Sequence, residues 1–316
     1  MEQGLHVIFG TGPVGTWIAR ELASRGAPVR VVNRSGGRPG LLPAEAELAG
    51  ADASDPEQAV RAAEGAAVVY QALNPPYHLW HELFPGLQRG ALEAARRAGA
   101  RYVSIDNLYM YNSAAGSVTE GSPIAPASRK GELRQRMAEE VLAAHERGDV
   151  AATVLRSSDY YGPGVLGSAL GDRVFPPILA GKKGEALGAL DLPHSYAYIE
   201  DVGRAAVEVG SRDEALGKVW ITPHTPAPTQ RQVLDGIFAQ AGREPRYTVV
   251  TPLKMRLAGL FNPGAREMKE LMYEFTEPFV VDSTAIENAF DLTATPLAQG
   301  LERTVDWYRG QATRNR

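Results

Sequence analysis

The sequence predicts an α/β protein built on a doubly wound parallel sheet, followed by a smaller C-terminal α/β domain. Short apolar strands alternate with helical stretches through the first half of the chain, as in a parallel sheet connected by helices. A glycine-rich turn follows the first strand directly and opens the first helix. The 316 residues are enough for one large domain or two medium ones.

The alternation predicts the individual elements. Strands are expected at Leu5–Phe9, Pro28–Asn33, Leu48–Ala51, Ala67–Leu73, Tyr102–Asp106, Ala152–Arg156, Tyr196–Ile199 and Lys218–Ile221. Helices are expected at Val14–Ser24, Pro56–Ala63, Leu83–Ala98, Glu132–Glu146 and Asp201–Val209. Pro85 and Gly86 predict a break or bend in the third of these helices.

The composition is that of an ordinary globular protein, with 44% apolar residues, 22% charged residues and a formal net charge of −4. A nucleic-acid partner would normally require a basic face, so none is expected. The absence of cysteine excludes disulfides and thiolate nucleophiles, and the scattered histidines lack metal-ligand spacing. Without a leader-like segment or an apolar run of about 18 residues, we expect a soluble cytoplasmic protein with no membrane partner and no metal.

Gly10, Gly12 and Gly15 form the pattern G-x-G-x-x-G between the first predicted strand and helix. The first glycine permits a tight turn, the second lets a pyrophosphate approach the backbone, and the third allows close packing of helix on strand. The helix N-terminus, with Pro13 and Val14 in its first turn, would face the phosphate charge. This context is typical of a Rossmann domain that binds a dinucleotide, and a glycine turn without a ligand is the alternative.

The end of the second strand indicates which dinucleotide is bound. Enzymes that use NAD usually place Asp or Glu here, to accept hydrogen bonds from the ribose hydroxyls. This chain has Asn33 followed by Arg34, and a neutral amide beside a guanidinium suits a 2′-phosphate. We therefore predict NADP(H), with NAD(H) as the alternative if Arg34 is only a solvated loop residue.

Two further positions are expected to contact the cofactor. Asp52 ends the third strand and is placed to accept a hydrogen bond from the adenine amino group. Asp52 can instead cap the next helix, although Asp55 is the better cap candidate. Leu73 begins the loop that, in this fold, passes the nicotinamide riboside.

Because glycine and proline become frequent after Gly162, we assign residues 1–162 plus 195–222 to the NADP-binding domain and residues 163–194 plus 223–316 to a substrate-binding domain.

Several other segments resemble the extended short-chain dehydrogenase/reductase family, nearly from end to end. These are Arg101–Asp106 leading to Tyr111, Leu155–Arg156 through Tyr161-Gly162-Pro163-Gly164, Tyr198-Ile199-Glu200-Asp201-Val202, and Thr295-Pro296-Leu297 through Trp307-Tyr308. The resemblance implies a Rossmann fold, a nicotinamide cofactor and a catalytic Ser, Tyr and Lys, with the Lys four residues after the Tyr. The glycine turn departs slightly from the family pattern, because Phe9 stands where extended members usually have glycine.

The catalytic pattern of the family is altered more strongly. Asn107 stands four residues before Tyr111, where the resemblance implies Ser. One register of the long helix places Glu132 at the Tyr position and Arg136 at the Lys position. Such losses resemble the atypical branch of the family, so the resemblance implies the fold and the cofactor but no reaction mechanism.

A second register of the same helix uses Lys130 and places Pro126 at the Tyr position, so neither register gives Tyr-x-x-x-Lys. In the first register Arg136 can hold the ribose, although it cannot shuttle a proton at neutral pH. Glu132 can act as a general acid or base if it is buried, and both residues can equally be solvated charges on a helix rich in Arg and Glu. Asn107 can orient a carbonyl or hydroxyl but transfers no proton.

The loop after the fourth strand offers His78 as the best-placed histidine for acid–base chemistry. Tyr77 and Trp80 beside it can provide stacking surface, although Trp80 is better explained by core packing. Other phenols that can supply the missing acid, or can simply pack, follow the fifth and sixth strands at Tyr109, Tyr111, Tyr160 and Tyr161.

We interpret the sequence as an NADP(H)-binding oxidoreductase that reduces or oxidises a carbonyl or alcohol of a small organic molecule. A sugar-nucleotide epimerase or dehydratase is the first alternative, although that chemistry needs the Tyr–Lys pair that is missing. A non-catalytic dinucleotide sensor is the second alternative. The chain can be a monomer or a homodimer, and the many charges on the Glu132–Glu146 helix are unusual for an apolar dimer interface.

Overall fold

The computed structural model describes residues 4–111 and 116–314 and confirms the predicted α/β class with a parallel sheet. The strands are β1 Leu5–Phe9, β2 Val29–Asn33, β3 Glu47–Gly50, β4 Ala66–Gln71, β5 Arg101–Asp106, β6 Ala152–Arg156, β7 Asp159–Tyr161, β8 Gly184–Leu187, β9 Tyr196–Tyr198, β10 Val219–Ile221 and β11 Tyr247–Val250. The α-helices are α1 Pro13–Ser24, α2 Pro56–Ala62, α3 Trp80–Ala98, α4 Arg129–Glu146, α5 Phe175–Leu179, α6 Ile199–Ser211, α7 Gln230–Ala241, α8 Pro252–Ala258, α9 Pro263–Met268, α10 Thr284–Phe290 and α11 Leu297–Arg314.

Seven strands form one sheet in the order β3-β2-β1-β4-β5-β6-β10, and every adjacent pair is parallel. The strand order reverses between β1 and β4, which is the switch point of a doubly wound sheet. The register pairs Phe9 with Gln71, so the carboxyl ends of these two strands lie level. Ligands of open α/β sheets bind in the crevice at such a point.

The chain folds as two compact units. The first contains the described residues of Met1–Met110, Lys130–Arg156 and Val202–Thr222, and it carries the seven-stranded sheet. The second contains those of Tyr111–Arg129, Ser157–Asp201 and Pro223–Arg316. The second unit thus includes three segments that were predicted to belong to the nucleotide-binding domain: the described residues of 111–129, residues 157–162 and residues 195–201.

In the first unit, the core forms where small side chains let helices approach the sheet closely. Ala91, Ala94 and Ala95 are fully buried on one face of α3. The predicted break in this helix is absent, because α3 begins at Trp80 and continues through Pro85. Pro85 cannot donate a backbone hydrogen bond to the carbonyl of His81, but the helix continues through this position.

The second unit has its own core and two short parallel strand pairs, β7 with β9 and β8 with β11. Phe175, Phe238 and Val305, from α5, α7 and α11, are fully buried in this core. Across the part of the chain that the structure describes, no helix has the length and apolarity needed to span a membrane.

Candidate functional site

The glycine turn lies at the switch point and is too tightly packed for larger residues at two of its three positions. Gly10 has φ +115°, and a Cβ there would lie 2.6 Å from the carbonyl oxygen of Ala72. A Cβ on Gly15 would lie 2.1 Å from the carbonyl oxygen of Gly10. The first position therefore needs glycine for its backbone conformation, and the third needs it because α1 packs on the turn.

Gly12 is different, because a Cβ at this position would meet no atom within 4 Å. It has ordinary extended backbone angles, φ −69° and ψ −178°, and it is the N-cap of α1. No side chain caps this helix, and Pro13 occupies its first turn. The backbone N–H groups at this end of α1 thus face an open space beside Gly12, and these features fit the pyrophosphate of a dinucleotide.

The loop after β2 is organised around Asn33. The Asn33 side-chain amide donates to the carbonyl oxygen of Gly37 at 2.8 Å, and the Ser35 hydroxyl donates to Asn33 Oδ1 at 3.1 Å. Arg38 is used within the loop, because its guanidinium donates to the carbonyl oxygens of Pro43 and Ala46. This network holds Asn33 at the end of β2 and leaves exposed Arg34 as the guanidinium that the loop presents to solvent.

Asp52 lies after β3, close enough to Arg34 for the two charges to interact. The backbone N–H and the hydroxyl of Ser54 both donate to Asp52 Oδ1, at 2.9 and 2.7 Å. These bonds, together with the charge of Arg34, lower the pKa of Asp52. Asp55 is the N-cap of α2, as predicted, since its carboxylate accepts from the backbone N–H groups of Glu57 and Gln58. Asp52 is therefore an ionised acceptor near Arg34, and the N-cap of α2 is Asp55 instead.

At the carboxyl end of β4, the chain passes directly against the glycine turn. The backbone nitrogen of Leu73 would lie 3.1 Å from a Cβ on Gly10, so a larger residue at position 10 would displace this segment. The Leu73 side chain packs at the edge of the core of the first unit. The predicted cofactor positions from Gly10 to Gly15 and Leu73 therefore lie together at the switch point.

The residues predicted to act in catalysis differ in their burial and in their hydrogen-bond partners. Asn107 accepts a hydrogen bond from the backbone N–H of Tyr109 at 3.2 Å and so holds the turn after β5. Tyr111 is fully buried in the second unit, and its hydroxyl donates to the carbonyl oxygen of Glu120 at 3.4 Å. His78 is exposed in a short 3₁₀ turn, Tyr77–Leu79.

Both residues of α4 that align with the family's catalytic Tyr and Lys positions are exposed to solvent. Glu132 and Arg136 lie on its solvent face, whereas Lys130 and Arg134 are 3% and 2% exposed. Lys130 and Arg134 are also four residues apart, so they share the buried face. The signal that would have revealed them is the apolar stripe of α4, since Leu133, Met137, Ala138 and Val141 are buried at helical spacing with these two cations.

A buried ion triad fixes the orientation of α4. The Asp106 carboxylate, at the end of β5, accepts from Arg134 Nε at 2.6 Å and from Arg156 Nε at 3.1 Å. Arg134 also donates to the carbonyl oxygen of Ile105 at 2.8 Å, and its guanidinium lies 4.4 Å from the centre of the Phe84 ring. Arg134 is thus fully engaged in joining α4 to β5, and Lys130 is the cation of α4 that lies nearest the helix N-terminus on that face.

Two tyrosine side chains lie close together at the carboxyl end of the sheet. Tyr77 follows β4, Tyr109 follows β5, and their hydroxyls are 2.8 Å apart. Lys130 Nζ lies 5.5 Å from the centre of the Tyr77 ring. Phenols and a cation thus meet in the first unit, although no Tyr-x-x-x-Lys motif exists in the sequence. Among the described residues no group of three or more acidic or histidine side chains is arranged to hold a metal ion.

The parallel strand order, the switch point and the glycine turn define a protein with a Rossmann fold. The model of the NAD dependent epimerase/dehydratase family matches residues 7–220, and the chain belongs to this family. The resemblance found in the sequence is therefore confirmed. No curated protein matches the chain in sequence.

Solved structures with the same fold cover nearly all of the chain. The crystal structure of gox2253 has a TM-score of 0.80 at 17% identity, over 98% of each chain. UDP-glucose 4-epimerase from Thermus thermophilus, in complex with NAD, has a TM-score of 0.77 at 18% identity, over 97% of this chain and 99% of that one. UDP-glucuronic acid 4-epimerase from Bacillus cereus, with UDP-glucuronic acid and NAD, has a TM-score of 0.79 at 16% identity, over 97% and 99%.

Proposed function

We propose that this protein is an NADP(H)-dependent oxidoreductase that acts on a carbonyl or alcohol of a small organic molecule. The observation that carries the proposal is the open position at Gly12, in a turn whose other two glycines are fixed by packing. A turn that served only the fold would have no reason to leave this space beside uncapped backbone N–H groups. Membership of the family and the NAD in similar structures support the same reading.

The chain offers a contact for each part of the cofactor. The turn from Gly10 to Gly15, including Pro13 and Val14, would hold the pyrophosphate, and Leu73 would border the nicotinamide riboside. Asp52 would accept from the adenine amino group, and Asn33 with Arg34 would bind the 2′-phosphate.

When bound, the dinucleotide supplies or accepts a hydride, and the chain must move the accompanying proton. Because Arg136 is exposed on α4, the proposal does not depend on the ribose contact predicted for it.

A parallel titration with NADPH and NADH, followed by nicotinamide fluorescence, tests the cofactor preference. We expect the wild-type protein to bind NADPH more tightly, and Arg34→Ala to weaken NADPH binding about 10- to 100-fold without changing NADH binding. That range corresponds to the loss of a charge-assisted hydrogen bond of about 1.5–3 kcal/mol. Arg34→Lys should fall between the two, because it keeps the charge and loses the planar fork.

The matched control is Arg61→Ala, which removes another exposed arginine, from α2, and should bind both dinucleotides like the wild type. Equal affinity of the wild type for NADPH and NADH would show that Arg34 is a solvated loop residue. The enzyme would then be assigned NAD as its cofactor.

The Gly12→Ala variant tests dinucleotide binding itself. The backbone angles of Gly12 suit alanine and its Cβ would meet no protein atom, so we expect the melting temperature to be nearly unchanged. The new methyl group would occupy the space of the pyrophosphate, so NADPH binding should be lost in fluorescence titrations. An alanine variant that still binds NADPH at wild-type affinity would contradict the proposed site.

A carbonyl panel and a sugar-nucleotide assay then separate the reactions. NADPH oxidation with aldehydes or 1,2-diketones is expected, whereas UDP-glucose with NAD should be recovered unchanged by chromatography. Conversion of UDP-glucose would instead establish the isomerase chemistry for which similar structures are named. Tight NADPH binding with neither reaction would favour a dinucleotide sensor.

A further inference from the structure

Three separate elements of the first unit bring Tyr77, Tyr109 and Lys130 together. Tyr77 stands in the 3₁₀ turn after β4, Tyr109 follows β5, and Lys130 lies in the first turn of α4. Tyr77 is half-buried, whereas Tyr109 is 9% exposed and Lys130 is 3% exposed. Tyr77 is therefore the member of this phenol–lysine cluster that most readily meets a molecule outside the protein.

The ring of Tyr77 is held from the side by Trp80. The two rings meet edge to face with their centres 4.9 Å apart, and the Trp80 ring stacks on Tyr109 at 6.2 Å. The indole N–H of Trp80 donates to Asn74 Oδ1 at 3.0 Å and to the carbonyl oxygen of Pro75 at 2.9 Å. Two successive prolines stiffen this loop, so the Tyr77 hydroxyl is positioned before any substrate binds.

Tyr109 and Lys130 are positioned by the end of β5. Asn107 holds the backbone N–H of Tyr109, and Asp106 holds Arg134 one turn along α4 from Lys130. A buried ammonium is unfavourable unless it has polar or aromatic partners. Lys130 finds one in the face of the Tyr77 ring, at a distance typical of a cation–π contact.

This arrangement stabilises negative charge on the Tyr77 oxygen. When Tyr77 loses its proton, the hydroxyl of Tyr109, 2.8 Å away, can donate a charge-assisted hydrogen bond to the phenolate. The ammonium over the ring adds a favourable Coulomb interaction with the same anion. We infer that Tyr77 Oη is the group that exchanges a proton with the substrate oxygen, and that Tyr109 and Lys130 are positioning residues for it. The inference rests on the proposed oxidoreductase function.

In the direction of reduction, the carbonyl carbon of the substrate receives a hydride, with its electron pair, from the cofactor. The π pair of the C=O bond moves to oxygen, which forms a new bond to the proton of Tyr77 as the Tyr77 O–H bond breaks. The phenolate accepts a hydrogen bond from Tyr109 and then regains a proton from water. One carbonyl, one hydride and one proton give one alcohol, and oxidation of the alcohol runs through the same steps reversed.

The first test needs no substrate. Tetranitromethane nitrates the phenolate form of tyrosine, and peptide mapping by mass spectrometry reports each site separately. We expect Tyr77 to be nitrated faster than the core tyrosines at pH 8, since burial raises the pKa of Tyr102, Tyr196 and Tyr198. Lys130→Met should slow nitration of Tyr77 about 3- to 30-fold, a range that corresponds to the loss of a cation over an aromatic ring.

The matched control is Arg129→Met, which removes the exposed neighbouring cation of α4 and should leave the rate at Tyr77 unchanged. Tyr109→Phe should slow nitration of Tyr77 as Lys130→Met does, and Lys130→Arg should restore part of the rate. Equal rates at Tyr77 in Lys130→Met and Arg129→Met would overturn the inference. Because this comparison involves no cofactor, it stands even if NADPH fails to bind and the proposed function is wrong.

The second test uses NADPH and a 1,2-diketone probe. Tyr77→Phe is expected to lower kcat by about 10²- to 10⁴-fold, the usual contribution of a general acid, with NADPH affinity and KM unchanged. Saturating NADPH should also protect Tyr77 from nitration. If NADPH binds and Tyr77 is nitrated at the same rate as before, Tyr77 does not border the cofactor and the inference fails.

Discussion

Replacement of Asp106 by alanine is expected to lower the free energy of unfolding by about 3–5 kcal/mol, the range for removing one partner from a buried ion pair. The Asp106 side chain is 2% exposed, and it is the carboxylate between the Arg134 and Arg156 guanidiniums. Without it, two buried cations lose the anion that offsets the cost of their desolvation. Urea unfolding of wild type and variant at pH 7.5 measures the difference.

Asp213→Ala is the matched control for this measurement. Asp213 also accepts from an arginine, Arg101, at 2.7 Å, but its side chain is 83% exposed. Exposed pairs of this kind contribute about 0.2–1 kcal/mol, so we expect a loss within that range. If both variants lose the same small amount, Asp106 does not hold the triad together.

The triad also bears on the proposed role of Tyr77, because it orients the helix that carries Lys130. Asp106→Ala should therefore weaken the influence of Lys130 on Tyr77, even in the fraction of protein that remains folded. In the nitration experiment its effect should match that of Lys130→Met in direction. If Tyr77 is nitrated in the Asp106→Ala variant at the wild-type rate, apolar packing alone holds α4 in place.

The parts of this molecule that the sequence predicts correctly depend on local pattern. Gly10, Gly12 and Gly15 lie within six residues where β1 leads into α1, and each has a local reason: a tight turn, the approach of a pyrophosphate, and the packing of helix on strand. The parallel sheet follows from alternating short strands and helices, and it is confirmed in every strand of the first half. Asp55 is recognisable as a cap because capping needs only its near neighbours.

The arrangement at the carboxyl end of the sheet depends on contacts between distant residues, which no local pattern specifies. Asp106 meets Arg134 and Arg156 across separations of 28 and 50 residues. The buried face of α4 carries an apolar stripe, but Lys130 and Arg134 lie within that stripe, and only their distant partners explain why these two cations are buried. A register chosen by family resemblance therefore selected Glu132 and Arg136, which the structure places in solvent. Their catalytic roles stay a prediction.

A second large effect on stability is expected from a change of pH, through the buried side chain of His6 on β1. Burial lowers the pKa of His6 to about 4, from an ordinary value of 6.5. His6 is 3% exposed, and its Nδ1 lies 3.1 Å from the hydroxyl of fully buried Tyr70. The folded protein therefore excludes a proton that the unfolded chain binds between these two pH values. A histidine with a depressed folded pKa contributes stability above pH 6.5 that is lost as the pH falls towards 4.

The expected loss from His6 alone is about 2 kcal/mol between pH 7.5 and pH 5, from the linkage between pKa and stability. The His6→Asn variant places an amide near the position of Nδ1, keeps a partner for Tyr70 and does not titrate. Urea unfolding of both proteins at the two pH values separates His6 from all other titrating groups, because those groups are shared. The wild type should lose about 2 kcal/mol more than the variant. Parallel losses in the two proteins would mean that His6 accepts its proton without unfolding the sheet, and that β1 opens to water at pH 5.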